Sequence, residues 1–238
     1  MNELDKSIRT LAVDIGGSGI KIMVLDAAGI PLSDRTRLPT PQPAKPPDVI
    51  KTVVTLAEQQ EFDRVSVGFP GVVQHGIIKT AINLDLDWIE FDLATNLHQL
   101  LSKPVRVAND ADIQGFGAIS GKGVELVVTL GTGFGSALFL DGKLVPNLEL
   151  GHHPFRQGET YEQQLGRAAL AAGGKKKWNS RLQKAIANLE YLFNYDALYI
   201  GGGETSNINF DLPANAKVVP NVAGLLGGIK LWTNRPLA

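Results

Sequence analysis

The amino-acid sequence predicts an α/β fold built from a duplicated domain, with a cleft between the two copies. The main observation is that two segments look alike: residues 11–26 read LAVDIGGSGIKIMVLD, and residues 126–141 read LVVTLGTGFGSALFLD. Each is an apolar strand, a glycine-rich bend and a second apolar strand, which is the pattern of a β-hairpin. Short apolar strands also alternate with segments of helical periodicity, which favours a mixed or parallel sheet flanked by helices.

Local patterns place the remaining elements. Short apolar runs predict strands, and apolar residues three and four positions apart predict helices. The predicted strands cover 64–69, 105–108 and 197–200, and the predicted helices cover 49–57, 93–101, 182–193 and 222–232, with a further helix beginning at Ala111. Residues 39–47 (PTPQPAKPP) contain five prolines, so the sequence predicts an exposed, extended connection there and excludes a helix or a central strand.

Composition narrows the class of protein. The chain has 238 residues and a formal net charge of −1, so bulk electrostatics attracts it neither to nucleic acid nor to an acidic membrane. It has no cysteine, which removes disulfides and thiolate metal sites and fits a reducing compartment. The first ten residues lack a signal-peptide core, and the longest uncharged stretch, 126–140, is shorter than the roughly 18 apolar residues of a membrane span. We therefore expect a soluble, cytoplasmic protein.

The first glycine-rich bend groups residues that could bind a phosphate. Asp14, Gly16, Gly17, Ser18 and Lys21 lie within eight residues. Glycines let backbone N–H groups converge on an anion, the serine adds a hydrogen bond, and an aspartate at a strand end can hold Mg²⁺ directly or through water. The alternative is a structural hairpin turn with an exposed lysine, and this motif alone leaves both interpretations open.

Two further glycine-rich turns follow apolar strands. Gly131, Thr132 and Gly133 offer a second anion-binding loop, which differs from a Walker A loop because the Gly-Lys-Ser/Thr ending is absent. Gly202 and Gly203 could let the backbone approach a nucleotide or another flat ligand. A simple turn explains these two glycines equally well.

Asn109 and Asp110 directly follow the predicted strand 105–108. An aspartate at this position could accept the proton of an attacking hydroxyl, which is the role of the base in phosphoryl transfer. Both residues also favour the N-cap of a helix. The pair therefore predicts either a catalytic or a structural role.

Glu149, His152, His153 and Glu162 form a polar cluster that could hold several sugar hydroxyls. The chain has no cysteine and no His-x-x-x-His spacing, which argues against a metal site. Solvated loop residues are the remaining alternative. Glu159, three residues before Glu162, competes for the role of the second carboxylate.

Taken in order, these motifs resemble the ROK family (repressors, open reading frames and sugar kinases). The resemblance runs from Leu11 to about Gly228. It rests on six motifs in the family's order: Asp14-Ile15-Gly16-Gly17-Ser18, Gly68-Phe69-Pro70-Gly71, Asn109-Asp110, Leu130-Gly131-Thr132-Gly133, Glu149-Leu150-Gly151-His152 and Gly201-Gly202-Gly203. Residues 40–44, 71–78, 80–83 and Trp88 are similar in particular to the family's polyphosphate glucokinases.

The resemblance implies a sugar kinase that transfers a phosphoryl group from polyphosphate, with ATP as a further donor, to the 6-hydroxyl of glucose. Asp110 would be the catalytic base, and Asp14 would contribute to a Mg²⁺ site. The residues implied to bind glucose are Asn83, Asn109, Asp110, Glu149, His152 and Glu162; those implied to bind phosphate are Gly16, Gly17, Ser18, Lys21, Gly131, Thr132 and Gly133; those implied on the nucleotide side are Gly202 and Gly203. Zinc is not expected, because residues 155–161 stand where many relatives carry a cysteine-rich zinc motif.

The resemblance also implies the domain organisation. Two actin-like ATPase (ribonuclease H-like) domains would enclose the cleft. The smaller one would comprise residues 1–108, completed by a C-terminal helix at 222–238, and the larger one residues 109–221. Family members are commonly homodimers, so a homodimer is expected here.

Other functions remain as alternatives. A strictly ATP-dependent glucokinase or a kinase of another hexose fits the same motifs, and the lysine run at 175–177 either guides a polyanion or is a solvated surface. A non-catalytic sugar sensor is disfavoured because Asp110 and both phosphate loops are retained. A DNA-binding repressor of the family would carry a helix-turn-helix ahead of the first motif, and only ten residues precede Leu11.

Overall fold

The computed structural model describes residues 8–81, 84–220 and 223–233. The chain divides into two units, each organised around a five-stranded sheet. The first unit contains the described residues 8–117 and 223–233, and the second contains 118–220. None of the helices in these ranges combines the length and the apolar character that crossing a membrane requires.

Strands and helices alternate along much of the chain. The described strands are β1 (Thr10–Ile15), β2 (Ile20–Leu25), β3 (Thr36–Leu38), β4 (Arg64–Phe69), β5 (Val73–Gln74), β6 (Ile77–Ile78), β7 (Val105–Asn109), β8 (Val124–Leu130), β9 (Phe134–Leu140), β10 (Lys143–Val145), β11 (Pro154–Arg156), β12 (Glu159–Thr160), β13 (Ala197–Gly201) and β14 (Ala216–Val218). The described α-helices are α1 (Pro46–Ala57), α2 (Leu93–Leu101), α3 (Asp110–Phe116), α4 (Tyr161–Leu165), α5 (Arg167–Phe193), α6 (Ala223–Leu226) and α7 (Lys230–Thr233).

The first unit is built on a sheet of strand order β3-β2-β1-β4-β7. β1 and β2 form an antiparallel hairpin, whereas β1, β4 and β7 run parallel to one another. β1 and β4 are buried along nearly their whole length, as expected for central strands covered on both faces. The core cluster of this unit includes Leu11, Val67, Val53 of α1, Trp88 and Leu97 of α2.

An aromatic side chain fastens the C-terminal segment to the first unit. The Trp232 ring centroid lies 4.9 Å from Arg64 Cζ and 4.5 Å from Arg106 Cζ. Trp232 Nε1 donates to Ser66 Oγ at 2.8 Å, and that hydroxyl donates to Gly228 O at 2.7 Å. Cation–π contacts and a satisfied indole N–H therefore hold α7 and the turn before it against β4.

The second unit repeats the strand arrangement of the first. Its sheet has the order β10-β9-β8-β13-β14, with β8 and β9 in an antiparallel hairpin and β13 parallel to both β8 and β14. Trp178, Leu182 and Ile186 of α5 pack into the core cluster of this unit. Gly174, with φ at +72° and ψ at 163°, interrupts α5 with a kink.

The two sheets with their helices confirm the predicted α/β fold, and both glycine-rich segments are hairpins. The predicted strand at 64–69 and helix at 93–101 coincide with β4 and α2. The predicted helix at 182–193 is the second half of the longer α5. The predicted helix at 222–232 is, where described, two single-turn helices joined by a 3-10 turn at Gly227–Ile229, where successive glycines weaken helical propensity.

The proline-rich segment 39–47 corrects the sequence prediction in two respects. The exclusion of a helix is wrong for its last two residues, because Pro46 and Pro47 occupy the first turn of α1. A proline is tolerated there, since the N–H that it lacks has no intrahelical partner at a helix start. The expected exposure is wrong for Thr40 and Ala44, which are buried.

The first unit continues to Gly117. It includes α3 because this helix packs against β4, β7 and the C-terminal α6 of the same unit. The domain boundary at residue 108 and the smaller size of the first domain, which the family resemblance implies, stay predictions.

Glu125 organises the turn that leads into β8. Its buried carboxylate accepts hydrogen bonds from the backbone N–H groups of Ser120 (2.7 Å), Gly121 (2.7 Å) and Lys122 (3.1 Å) and from the Tyr199 hydroxyl (2.6 Å). Burial raises the pKa of Glu125, but the hydrogen bonds from Tyr199 and the backbone lower it more, so the pKa lies below 4.5.

We predict that Glu125→Gln lowers the free energy of unfolding by about 2 kcal/mol, because charge-assisted hydrogen bonds are lost and an amide N–H₂ faces backbone donors. Urea denaturation at neutral pH measures the change, with Tyr199→Phe as a graded control that costs about 1 kcal/mol. Because the folded-state pKa is lowered, the contribution of Glu125 is complete above pH 4.5 and is lost as the pH falls through the folded-state value. A pH-independent difference between the parent and Glu125→Gln would contradict this account.

Candidate active site

Asp14 and Lys21 face each other across the first glycine-rich hairpin. They are register partners on β1 and β2, and Lys21 Nζ lies 2.6 Å from Asp14 Oδ2. A hydrogen bond from Gly16 N to Gly19 O at 3.1 Å closes the bend. The side chains of Lys21 and Asp14 are 34% and 20% exposed, so a ligand can reach this ion pair from solvent.

The segment that precedes α1 braces this hairpin loop. Arg37 Nη2 donates to Ser18 O at 2.7 Å, and Thr40 Oγ1 donates to Gly16 O. Both bonds hold carbonyl oxygens of the loop and so fix its backbone. No local sequence signal predicts these contacts, because they join residues 19 and 24 positions apart.

The Asn109–Asp110 pair was predicted to act either as a helix cap or as a catalytic base, and the structure gives the cap to Asn109. Asn109 is the N-cap of α3: its Oδ1 accepts from Ala111 N at 2.8 Å and Asp112 N at 3.3 Å, and its Nδ2 donates to Gly71 O at 3.1 Å. Asp110 is the first residue of α3 and is half-buried, and its Oδ1 accepts from Ala111 N at 2.8 Å. A carboxylate in the first turn is stabilised by the helix dipole. The N-cap is therefore Asn109, and Asp110 remains the candidate base.

Gly68 packs beside Asp110. Gly68 is opposite Ala108 in the parallel pairing of β4 and β7. A Cβ at Gly68 would lie 3.5 Å from Asp110 Cα, which is an ordinary van der Waals contact. Since the carboxyl ends of parallel strands meet at one edge of a sheet, Asp14, near the end of β1, and Asp110, directly after β7, lie at the same edge of the first unit.

The second glycine-rich loop lies at the carboxyl end of β8. Gly131 N donates to Gly133 O at 3.1 Å, and Arg167 N, at the start of α5, donates to Gly131 O at 2.9 Å. Gly202, after the neighbouring β13, has φ at +96° and touches the backbone of Leu130 so closely that a side chain would clash. The loop is therefore bordered by a helix N-terminus and by a glycine that no other residue replaces without strain.

Three of the predicted sugar-binding side chains come together in the second unit. Glu149 Oε2 lies 3.3 Å from His152 Nε2, and Glu162 Oε2 accepts from Phe134 N at 3.2 Å, directly after the second glycine-rich loop. Burial raises the pKa of Glu149 above 4.5; His152 opposes this shift, and the charge of Glu162 adds to it. Two carboxylates and an imidazole in mutual electrostatic contact supply several acceptors for the hydroxyls of a sugar.

The structure separates these candidates from their neighbours in sequence. Glu159 Oε2 accepts from Gln164 Nε2, whereas Glu162 contacts the glycine-rich loop. His153 O accepts from Tyr161 N at 3.2 Å, and the His153 ring centroid lies 6.3 Å from that of Tyr161. Glu162 is thus better placed than Glu159, and the contacts of His153 are structural.

The remaining predicted residues have simpler surroundings. Ser18 and Thr132 are exposed in their loops, Gly203 begins a 3-10 turn, and Asn83 lies outside the described residues. Residues 155–161 are the segment that the family resemblance compares with a zinc motif. Here β11 and β12 form a hairpin. The ring of Phe155 stacks on that of Tyr161, with 4.5 Å between the two ring centroids. Within the described ranges, no three or more His, Asp or Glu side chains are grouped to share a metal ion.

The chain is similar to known proteins over most of its length. The family model described as ROK family matches residues 10–165. A polyphosphate glucokinase of Mycobacterium tuberculosis (strain CDC 1551 / Oshkosh) is 34% identical over 236 residues, which cover 90% of this chain and 88% of the relative. The crystal structure of an inorganic polyphosphate/ATP-glucomannokinase from Arthrobacter sp. strain KM is 35% identical, with a TM-score of 0.85, and the match covers 94% of this chain and 98% of that chain.

A more distant structure has the same fold. A ROK family glucokinase from Streptomyces griseus, crystallised with glucose and AMPPNP, is 22% identical, with a TM-score of 0.76 over 94% of this chain and 98% of that chain. The fold is accordingly of the actin-like ATPase type that the resemblance implied. Because the family model spans more than half of the chain and a relative at 34% identity spans nearly all of it, the protein belongs to the ROK family.

Proposed function

We propose that this protein transfers a phosphoryl group from inorganic polyphosphate, with ATP as a second donor, to the 6-hydroxyl of glucose. The observation that carries the proposal is the position of Asp110, a half-buried carboxylate at the start of α3, on the same sheet edge as the Asp14–Lys21 hairpin. The relatives support the choice of substrates: one is named polyphosphate glucokinase, and the other is named polyphosphate/ATP-glucomannokinase.

Asp110 is the general base of the proposed reaction. A neutral hydroxyl is a poor nucleophile, so an aligned carboxylate that accepts its proton lowers the barrier to attack on the phosphoryl group. Asn109 positions this carboxylate through the helix cap and through its bond to Gly71 O. The family resemblance assigns Asn109 a further role in binding a sugar hydroxyl.

The other hydroxyls of glucose are assigned to acceptors and donors of the second unit. Glu149 and Glu162 accept hydrogen bonds, and His152 completes the set beside Glu149. The family resemblance adds Asn83 to the residues proposed to bind glucose. Several simultaneous hydrogen bonds fix the orientation of the 6-hydroxyl, and orientation supplies much of the rate in reactions of this kind.

The two glycine-rich loops hold the phosphoryl donor. Backbone N–H groups of such loops and a lysine neutralise the charge on phosphate oxygens, which is the main catalytic requirement of phosphoryl transfer. The residues assigned to this role are Gly16, Gly17, Ser18, Lys21, Gly131, Thr132 and Gly133, with Gly202 and Gly203 on the nucleotide side when ATP is the donor.

The first loop fits a Mg²⁺ ion. Mg²⁺ usually binds one or two carboxylates together with substrate phosphates and water. Asp14 offers one such carboxylate, partly exposed and oriented through Oδ2 by Lys21. When bound there, the ion neutralises charge on the donor phosphates, while Lys21 keeps the Asp14 carboxylate in position.

Two further parts of the proposal are a homodimer, which rests on the family resemblance, and a cytoplasmic location, which rests on the composition of the chain. The absence of cysteine from all 238 residues supports a reducing compartment. Size-exclusion chromatography with light scattering tests the first part.

We predict that the purified protein with Mg²⁺ forms glucose 6-phosphate from glucose with either donor, and with a higher kcat/KM for polyphosphate than for ATP. A coupled dehydrogenase assay with each donor in parallel measures this. Mannose in place of glucose tests the acceptor, because the Arthrobacter relative is named a glucomannokinase. Turnover with ATP alone would show that ATP is the donor in place of polyphosphate. No turnover with either donor and either sugar would refute the proposed kinase activity.

We predict that Asp110→Asn lowers kcat by about 10³-fold, since a positioned general base contributes about 10²- to 10⁴-fold. The Kd for glucose, measured by calorimetry, should change only a few-fold because the amide has nearly the same shape. Asp92→Asn is the matched control: Asp92 caps α2, and asparagine is an equally good cap. Near-parent turnover in Asp110→Asn would show that the base lies elsewhere.

We predict that glucose affinity falls as the pH is lowered through the raised pKa of Glu149, which lies above 4.5. Protonation removes a charged acceptor that the sugar hydroxyls need. His152 and Glu162 also face this carboxylate. Glu149→Gln should give weaker binding and a flatter pH profile, because the group with the raised pKa is removed. An unchanged profile in Glu149→Gln would contradict the assignment.

A further inference from the structure

Five basic side chains surround a surface cavity in the second unit, and we call them the basic cluster. The cavity has a volume of about 560 Å³, and its lining includes Arg156, Lys176, Lys177, Arg181 and Lys184. Lys177, Arg181 and Lys184 are four and three residues apart on α5 and so share one helix face. No ion pair involves these five side chains in the part of the chain that the structure describes. Positive charge is thus concentrated locally in a chain whose net charge is −1.

A buried glutamine holds the two arginines of the basic cluster. Gln164 is 1% exposed; its Oε1 accepts from Arg156 Nη1 at 3.3 Å, and its backbone O accepts from Arg181 Nη1 at 3.2 Å. Glu159 in turn accepts from Gln164 Nε2. Gln164 therefore holds Arg156 and Arg181 in place beside the cavity.

The kinked helix α5 connects the basic cluster to the second phosphate loop. α5 begins at Arg167, whose N donates to Gly131 O, and its first segment ends at the Gly174 kink. The seven residues 167–173 span about 10 Å at 1.5 Å per residue. A Cβ at Gly173 would lie 3.5 Å from Lys177 Cδ, so the glycine keeps the cavity wall bare at this point.

We propose that the basic cluster binds the distal part of the inorganic polyphosphate donor, beyond the phosphates held at the loop of Gly131, Thr132 and Gly133. This inference rests on the proposed function. A chain with a negative charge on every phosphate matches a group of cations that α5 connects to that loop. The cavity lining contains no aromatic ring among the described residues, so it lacks the stacking surface that single-stranded nucleic acids use. Engagement of loop and cluster by one chain makes the affinity rise with chain length.

The test compares two double variants that remove equal charge. Lys177→Gln/Lys184→Gln alters the basic cluster, and Lys122→Gln/Lys143→Gln removes two exposed lysines elsewhere in the same unit. Calorimetry measures the Kd of long-chain polyphosphate and of tripolyphosphate for each protein at low and moderate salt. We expect the cluster variant to bind the long chain about tenfold more weakly and with a shallower salt dependence, while the control stays close to the parent. The preference for long chain over tripolyphosphate should fall in the cluster variant alone.

Equal losses in both double variants, or no loss in either, would overturn the proposal. A single-stranded RNA of similar charge that binds the parent as tightly as polyphosphate and competes with it would also overturn it. Because binding is measured without turnover, failure of the two proposals is distinguishable. A parent that binds long chains through the cluster but forms no glucose 6-phosphate from them contradicts the proposed donor. A parent that uses polyphosphate, with a cluster variant that binds it equally well, contradicts the cluster.

Discussion

Parallel pairing of β1, β4 and β7 is the constraint on which the candidate site of the first unit depends. The register places Gly68 of the middle strand opposite both Asp14 and Ala108, so small residues separate Asp14, near the end of β1, from Asp110, which follows β7. A slip of one residue in this pairing would turn every side chain to the other face of the sheet. The position of Asp110 relative to Asp14 is therefore a property of backbone hydrogen bonds, which the buried apolar residues of β1 and β4 protect from water.

The second unit has the same strand arrangement as the first. In each unit the first strand of the central hairpin ends in a glycine-rich loop, and the neighbouring parallel strand supplies a glycine that packs close to it. Gly68 lies beside Asp14 in the first unit, and Gly202 touches the backbone of Leu130 in the second. A side chain at Gly202 would clash with the backbone of Leu130, whereas a Cβ at Gly68 would only reach van der Waals contact with Asp110 and Ile113. The close packing is therefore stricter in the second unit than in the first.

Local sequence patterns were enough to place β4, α2 and both hairpins, because each is defined by its own apolar periodicity or by its glycines. They were not enough where contacts between residues far apart in the sequence determine the local structure. The brace that Arg37 and Thr40 apply to the first loop is one case, and another is the hydrogen bond from Trp88 Nε1 to Ala44 O that anchors the proline-rich segment. The C-terminal turns likewise depend on Trp232 and its long-range cation–π contacts. Such contacts leave no pattern in the sequence near either partner.

The Asn109–Asp110 pair shows why a stabilising and a catalytic role need not compete. The cap residue must leave the helical conformation, and Asn109 does so with φ at −59° and ψ at 143°, while the next residue starts the helix. Its amide joins the first turn of α3 to Gly71 O, so one side chain ties the end of β7 to the loop after β4. The hydrogen bonds that begin α3 also aim the carboxylate of Asp110. Stability of this helix and alignment of the proposed base consequently depend on the same asparagine.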